Sequence, residues 1–220
     1  MRILVCVLAL TVVSVAHADA PSPAPSATDA LKRLMDGNKS FVAAGGVCTR
    51  QSPARRSEVA PKQHPYAVVV GCADSRVPPE ALFSAGLGDL FVVRVAGNVV
   101  DDDVLASVEY AADHLGVPLV VVLGHERCGA VEAALAPGTP KGHLEGLVAT
   151  IRAGIAAVRG KPGDALDNAV RANVAAQVQK LQTAKPVLAP LAQTGKVRVV
   201  GARYDLDTGA VEILPDTVAP

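Results

Sequence analysis

The chain has no excess of charge of either sign: 21 lysines and arginines stand against 21 aspartates and glutamates in 220 residues, a formal net charge of zero. Its basic residues are scattered rather than clustered, so the electrostatic footprint of a nucleic-acid binder is missing. After Val15 no apolar run is long and uncharged enough to span a bilayer. Neither Gly-x-x-x-x-Gly-Lys-Ser/Thr nor Gly-x-Gly-x-x-Gly occurs, which removes the two common phosphate-cradling loops. No internal repeat is visible, and the richness in alanine and valine is not low complexity. Half the residues are hydrophobic, enough for one domain with a sizeable core.

The first residues run from a charged Arg2 through an apolar stretch, Ile3 to Val15, to Ala16-His17-Ala18, the small-x-small pattern of a signal-peptidase site. They predict a signal peptide over residues 1–18, a Pro/Ala/Ser-rich flexible leader over 19–26, and a single domain over 27–220. Cys6 lacks a lipobox-like context. The expected product is an exported protein, in the bacterial periplasm, with no stable membrane insertion once the signal is removed.

Cysteine is scarce, and after processing three remain: Cys48, Cys72 and Cys128. An odd number cannot all pair internally. A Cys72–Cys128 disulfide would leave the nearby Asp74, Arg76 and His125 without a shared purpose, so metal thiolates explain the set better. Cys48 reads as a small loop residue beside Gly45-Gly46, with a regulatory thiol as the alternative.

Valine-rich runs identify the strands. Ala67–Val70, Leu90–Val95 and Leu119–Leu123 are too short for typical helices and suit strands buried on both faces. Helical patterns cover 27–44, with Gly37 as a candidate break, then 102–115, 130–135, 144–158 and 164–184. Val197–Tyr204 and Val211–Leu214 flank Asp207-Thr208-Gly209, a hairpin signal. Val77-Pro78-Pro79-Glu80 reads as a turn in which two prolines prevent regular pairing. The pattern predicts an α/β fold: a mainly parallel central sheet flanked by helices, Rossmann-like, with a C-terminal hairpin and an N-terminal helical arm.

Two segments carry the chemistry, Cys72-Ala73-Asp74-Ser75-Arg76 and His125-Glu126-Arg127-Cys128. Each follows a buried strand, and ligands at the carboxyl ends of parallel strands converge on one crevice. Cys72, His125 and Cys128 supply the three firm ligands of a catalytic zinc site, which keeps a fourth position for water. Asp74 is either a base oriented by the Arg76 fork or itself a fourth zinc ligand. A tyrosine-phosphatase-like loop is excluded, because the position six after Cys72 is Pro78.

These segments resemble the paired signatures of the β-class carbonic anhydrases, Cys-x-Asp-x-Arg and His-x-x-Cys. The resemblance runs from about Asp29 to Leu214 and is strongest from Gln63 to Gly129. It implies Zn2+ on Cys72, His125 and Cys128, with Asp74 as an optional ligand, and an Asp74–Arg76 catalytic dyad. It also implies a plant-like substrate pocket of Gln63, Phe91, Tyr110 and Gly129. Taken singly, Phe91 and Tyr110 look like core residues and Gln63 like a loop polar group; together their separations match the pocket. Arg94 and Tyr204 match two of three residues that bind bicarbonate in the other subtype, but Val69 stands where tryptophan is expected, and the chain has no tryptophan. An open, water-ligated site is therefore expected.

The implied activity is reversible hydration of carbon dioxide to bicarbonate and a proton by zinc-bound hydroxide. His64 and His114 are candidate proton shuttles. The alternatives are hydrolysis of carbonyl sulfide or carbon disulfide, and a non-catalytic zinc or bicarbonate-binding module. The resemblance further implies a homodimer or a dimer-based oligomer, with the leading helix packing on the partner.

Overall fold

Valine dominates the two central strands, and its branched side chain fits the pleated surface of a sheet covered on both sides. In the computed structural model, which describes residues 24–44 and 50–217, β1 (Ala67–Gly71) and β3 (Leu119–His125) are buried along their whole lengths. β2 (Leu90–Arg94) pairs with β1, and β4 (Arg198–Tyr204) with β3, all in parallel. The strand β5 (Val211–Ile213) turns back antiparallel on β4, giving the order β2-β1-β3-β4-β5. The predicted mainly parallel sheet and C-terminal hairpin are both present.

Alternate valines feed two apolar layers. Val69 and Val121 face one layer with Leu34, Phe83, Ile151 and Ile155; Val68, Val70, Val120 and Val122 face another with Val104, Val108, Val178 and Leu188. Each fully buried valine contributes about 1.5–3 kcal/mol relative to exposure. The helices α1 (Ala27–Ala44), α2 (Pro53–Val59), α3 (Pro79–Leu82), α4 (Asp102–Glu109), α5 (Gly129–Leu135), α6 (Leu144–Ile155), α7 (Ala165–Thr183) and α8 (Leu188–Gln193) surround the sheet.

Several local expectations are corrected. The helix α1 runs unbroken through Gly37, because that glycine is a point of close approach: a Cβ there would lie 2.0 Å from the Phe83 carbonyl oxygen. The helix also docks on its own chain. Ala30 and Leu34 are fully buried, and Asn38 donates to the carbonyls of Leu82 and Gly209 while accepting from Val211 N–H. The Pro78-Pro79 turn opens the short α3, with Pro79 in its first turn, where a missing N–H costs nothing. The helix from Asp102 ends in a wider π-helical turn, Tyr110–His114, and α2 and α8 had no sequence counterpart.

The proposed signal peptide, residues 19–23 of the leader, Cys6 and Cys48 lie outside the described residues. Among the described residues no helix is long and apolar enough to cross a membrane.

Candidate metal centre and catalytic dyad

Neighbouring strands β1 and β3 end side by side, with Gly71 opposite Leu123. Their continuations leave the sheet towards opposite edges, β1 to β2 and β3 to β4, which makes this the switch point of the fold. Cys72 is the residue after β1, His125 the last of β3, and Cys128 the residue before α5. Their donor atoms all lie within 4.8 Å of one another, and all three residues are buried.

Histidine 125 is prepared to donate a lone pair. Its Nδ1 lies 2.7 Å from the Glu126 carbonyl oxygen, an acceptor, so Nδ1 carries a proton, and the neutral ring then has its lone pair on Nε2. Nε2 is buried and has no hydrogen-bond partner among the described residues. An orphaned imidazole nitrogen beside two thiols fits a borderline-soft divalent cation such as zinc.

The thiols point the same way. Cys72 is pushed well below the ordinary thiol range by a hydrogen bond from Cys128; burial opposes this, and the N–H groups of Asp74 and Gly97 add to it. Those N–H groups lie 3.4 and 3.2 Å from Cys72 Sγ. Cys128 moves up, because the Cys72 thiolate holds its proton and burial disfavours a second charge. Two buried thiolates a few ångströms apart need a cation between them.

Asp74 faces the same crevice from the loop after β1. Arg76 donates Nε to Oδ1 at 2.9 Å and Nη2 to Oδ2 at 2.7 Å, and the Arg76 N–H reaches Oδ1 at 2.9 Å. The Arg76 guanidinium therefore holds the Asp74 carboxyl well below the usual carboxylate range, against a smaller effect of burial. Oδ2 lies 3.9 Å from His125 Nε2. So turned, the carboxylate is engaged with arginine and stands outside the three-residue ligand group.

Two further residues hold this geometry, and spacing alone did not reveal how. Arg94, at the end of β2, donates Nε to the Cys72 carbonyl at 2.8 Å and Nη2 to the Asp74 carbonyl at 2.5 Å, fastening the loop between them. The resemblance set Arg94 beside a bicarbonate site; in this fold its Nε and Nη2 serve those two carbonyls. Arg127, at φ +48°, offers its carbonyl to Arg76 Nη2 at 3.3 Å and forks its guanidinium onto Asp207 at 2.9 and 2.8 Å. The two ligand loops are thereby joined to each other and to the hairpin.

The four pocket residues are placed differently. Gly129 opens α5 directly after Cys128 and is exposed. Phe91 packs with the layer of Val68 and Val120, across the sheet from the layer that contains Cys72 and Cys128. Its ring centroid lies 6.3 Å from that of Tyr110, which is 46% exposed. Gln63 is exposed in the segment before β1.

Comparison with known proteins bears on this arrangement directly. Residues 67–211 match the family described as carbonic anhydrase. The chain is 42% identical over 188 residues to a carbonic anhydrase of Mycolicibacterium smegmatis, covering 84% of this chain and 91% of that one. It is also 42% identical over 184 residues to carbonic anhydrase 2 of Mycobacterium tuberculosis, covering 82% and 89%. Among solved structures, a Coccomyxa β-carbonic anhydrase in complex with acetazolamide superposes with a TM-score of 0.68 at 32% identity, over 84% of this chain and 86% of that one. A tetrameric β-carbonic anhydrase of Sordaria macrospora gives 0.68 at 26% identity, over 85% and 98%. The matched segment takes in both ligand loops and the whole parallel sheet, and on that ground the chain belongs to the carbonic anhydrases, in their β class, enzymes that hydrate carbon dioxide.

Proposed function

We propose that the protein catalyses the reversible hydration of carbon dioxide at a zinc centre held by Cys72, His125 and Cys128. The observation that carries this is the buried, partnerless His125 Nε2 set between two thiols that cannot both ionise without a cation. A zinc ion held there supplies the Lewis acidity that makes water a nucleophile near neutral pH.

The residues around it do the rest. Asp74, kept ionised by Arg76, accepts the proton released when water attacks, at Oδ2, the oxygen that faces His125. Arg76 fixes the orientation of that carboxylate, and a metal held by Cys72, His125 and Cys128 would leave it free to take the proton. The backbone N–H of Gly129 is placed beside Cys128 to orient a substrate oxygen. His64 and His114, both exposed, can pass the proton to buffer.

The apolar wall comes from Phe91 and Tyr110, with Gln63 as a polar contact. In one copy the two aromatic residues sit on the other layer of the sheet, so we assign them to the pocket of a second copy across a homodimer interface. The half-exposed Tyr110 ring, tilted against Phe91, supports that reading. Signal-directed export to the bacterial periplasm belongs to the same proposal, with Asp19 as the first residue of the mature chain.

Carbon dioxide is favoured over carbonyl sulfide, carbon disulfide or a non-catalytic binding role because the relatives matched over most of this chain are named carbonic anhydrases. Stopped-flow hydration by the zinc-quantified protein from about pH 6.5 to 9, where metal-held water ionises in favourable sites, tests the reading. Rapid hydration is expected, with a loss of about 100-fold or more in Asp74→Asn at unchanged zinc content, the scale of a general base. No hydration by fully metallated protein would overturn it.

A further inference from the structure

The amide N–H of Gly97 lies 3.2 Å from Cys72 Sγ, and the turn that aims it is held from the far side of the molecule. Gly97 adopts φ +66°, a conformation that favours glycine, and a Cβ there would lie 2.8 Å from Ile151 Cδ1. Asn173 of α7 is fully buried and donates Nδ2 to the Gly97 carbonyl at 2.8 Å. One turn on, Gln177, also buried, donates Nε2 to Asn173 Oδ1 at 3.2 Å and accepts from Val100 N–H at 2.9 Å through Oε1. Lys180, on the following turn, donates to the Val100 carbonyl at 2.6 Å. One stripe of α7 thus grips both ends of the segment Gly97–Val100.

Burying two primary amides in an otherwise apolar layer is unfavourable unless each amide is satisfied. Nothing in the packing of α7 against the sheet requires them: Val170, Val174, Val178 and Leu181 on the same helix are buried and apolar. Their hydrogen bonds converge instead on the turn whose N–H meets the sulfur.

We propose that Asn173 and Gln177 are positioning residues that hold the Gly97 N–H on Cys72 Sγ and so set how strongly that thiolate donates to the metal; this rests on the zinc reading above. An N–H···S bond draws electron density from the sulfur. Losing it makes the thiolate a stronger donor but leaves its orientation unsupported, and outer partners of this kind are worth about 10–100-fold in metal affinity.

Cobalt(II)-substituted protein supplies the readout. In Asn173→Leu, which keeps the branched shape and removes both the donor and the acceptor, the thiolate-to-cobalt charge-transfer band should move to longer wavelength. Zinc loss to a chelator should quicken by about 10-fold or more. Gln177→Met should produce a smaller change in the same direction, and the exposed Gln179→Met on the same helix should produce none. A second measurement needs no variant: in cadmium-113-loaded wild-type protein the Gly97 amide proton should show scalar coupling to the metal through Sγ. A wild-type thiolate band with no Gly97 coupling, or a band unmoved in folded Asn173→Leu, overturns the positioning role alone. No thiolate band in wild type overturns the metal reading, and this inference with it.

Discussion

Arg76 grips Asp74 through two parallel hydrogen bonds, Nε to Oδ1 at 2.9 Å and Nη2 to Oδ2 at 2.7 Å, and this pair decides the state of the crevice. A carboxylate so held stays ionised and keeps its orientation. The same two side chains stand two residues apart in the chain, an arrangement that becomes a fork only because the chain turns after Ser75.

The pair makes a pH-dependent contribution to stability. Arg76, the first cause, holds the folded Asp74 carboxyl well below the usual carboxylate range, so the stabilisation is present above that range and lost as pH falls through the folded value. Denaturant titrations of wild type and Arg76→Gln should therefore differ at about pH 6 and converge towards about pH 2. A difference that persisted unchanged to the acid end would place the effect elsewhere than in this ion pair.

Cys128→Ser should lose the metal. A hydroxyl is a far poorer zinc ligand than a thiolate, and the remaining Cys72 and His125 supply only two donors. Metal analysis after dialysis should find less than about one tenth of the wild-type zinc, while the circular dichroism of the folded chain is kept.

Tyr110→Arg should disturb association and turnover together. The ring is half exposed beside Phe91, and a guanidinium there would place a charge in the apolar centre of the inferred interface. Light scattering at micromolar concentration should show a dimer or larger assembly for wild type and a shift towards monomer for the variant, with kcat/KM falling by about 10-fold or more. A wild-type monomer with full activity would refute the shared pocket.

Gly37→Ala sets two effects against each other. Alanine raises helix propensity by about 0.5–1 kcal/mol. Its Cβ, however, would lie 2.0 Å from the backbone oxygen of Phe83, and forcing apart two packed segments costs about 1–3 kcal/mol or more. The steric effect wins: thermal unfolding should show a net loss of about 2 kcal/mol, lowering Tm by roughly 4–8 °C.

The sequence by itself determined the fold class and singled out the candidate ligands. Runs such as Val68-Val69-Val70 and Val120-Val121-Val122 are short and β-branched, which favours strands of a sheet covered on both faces, so strand positions follow from side-chain chemistry and length. Cys72, His125 and Cys128 at strand ends were legible for the same reason, since strand direction carries consecutive carboxyl ends to one edge.

What only the tertiary structure decided is how distant segments meet. Gly37 reads as a helix breaker until Phe83 is seen against it. Arg94 reads as an anion-binding residue until its guanidinium is found on the carbonyls of Cys72 and Asp74. Phe91 and Tyr110 match a pocket by separation, yet the alternation of β2 sets Phe91 on the layer opposite the thiols, with Tyr110 half exposed beside it. Asn173 and Gln177 stood in plain view as a polar pair spaced by four on an apolar helix face. Their partner, the turn at Gly97, lies far away in sequence, and local periodicity does not encode which backbone groups a buried amide will reach. Spacing reports on a residue's own element; its partners are set when elements pack, by shape and by the requirement that every buried polar group be satisfied.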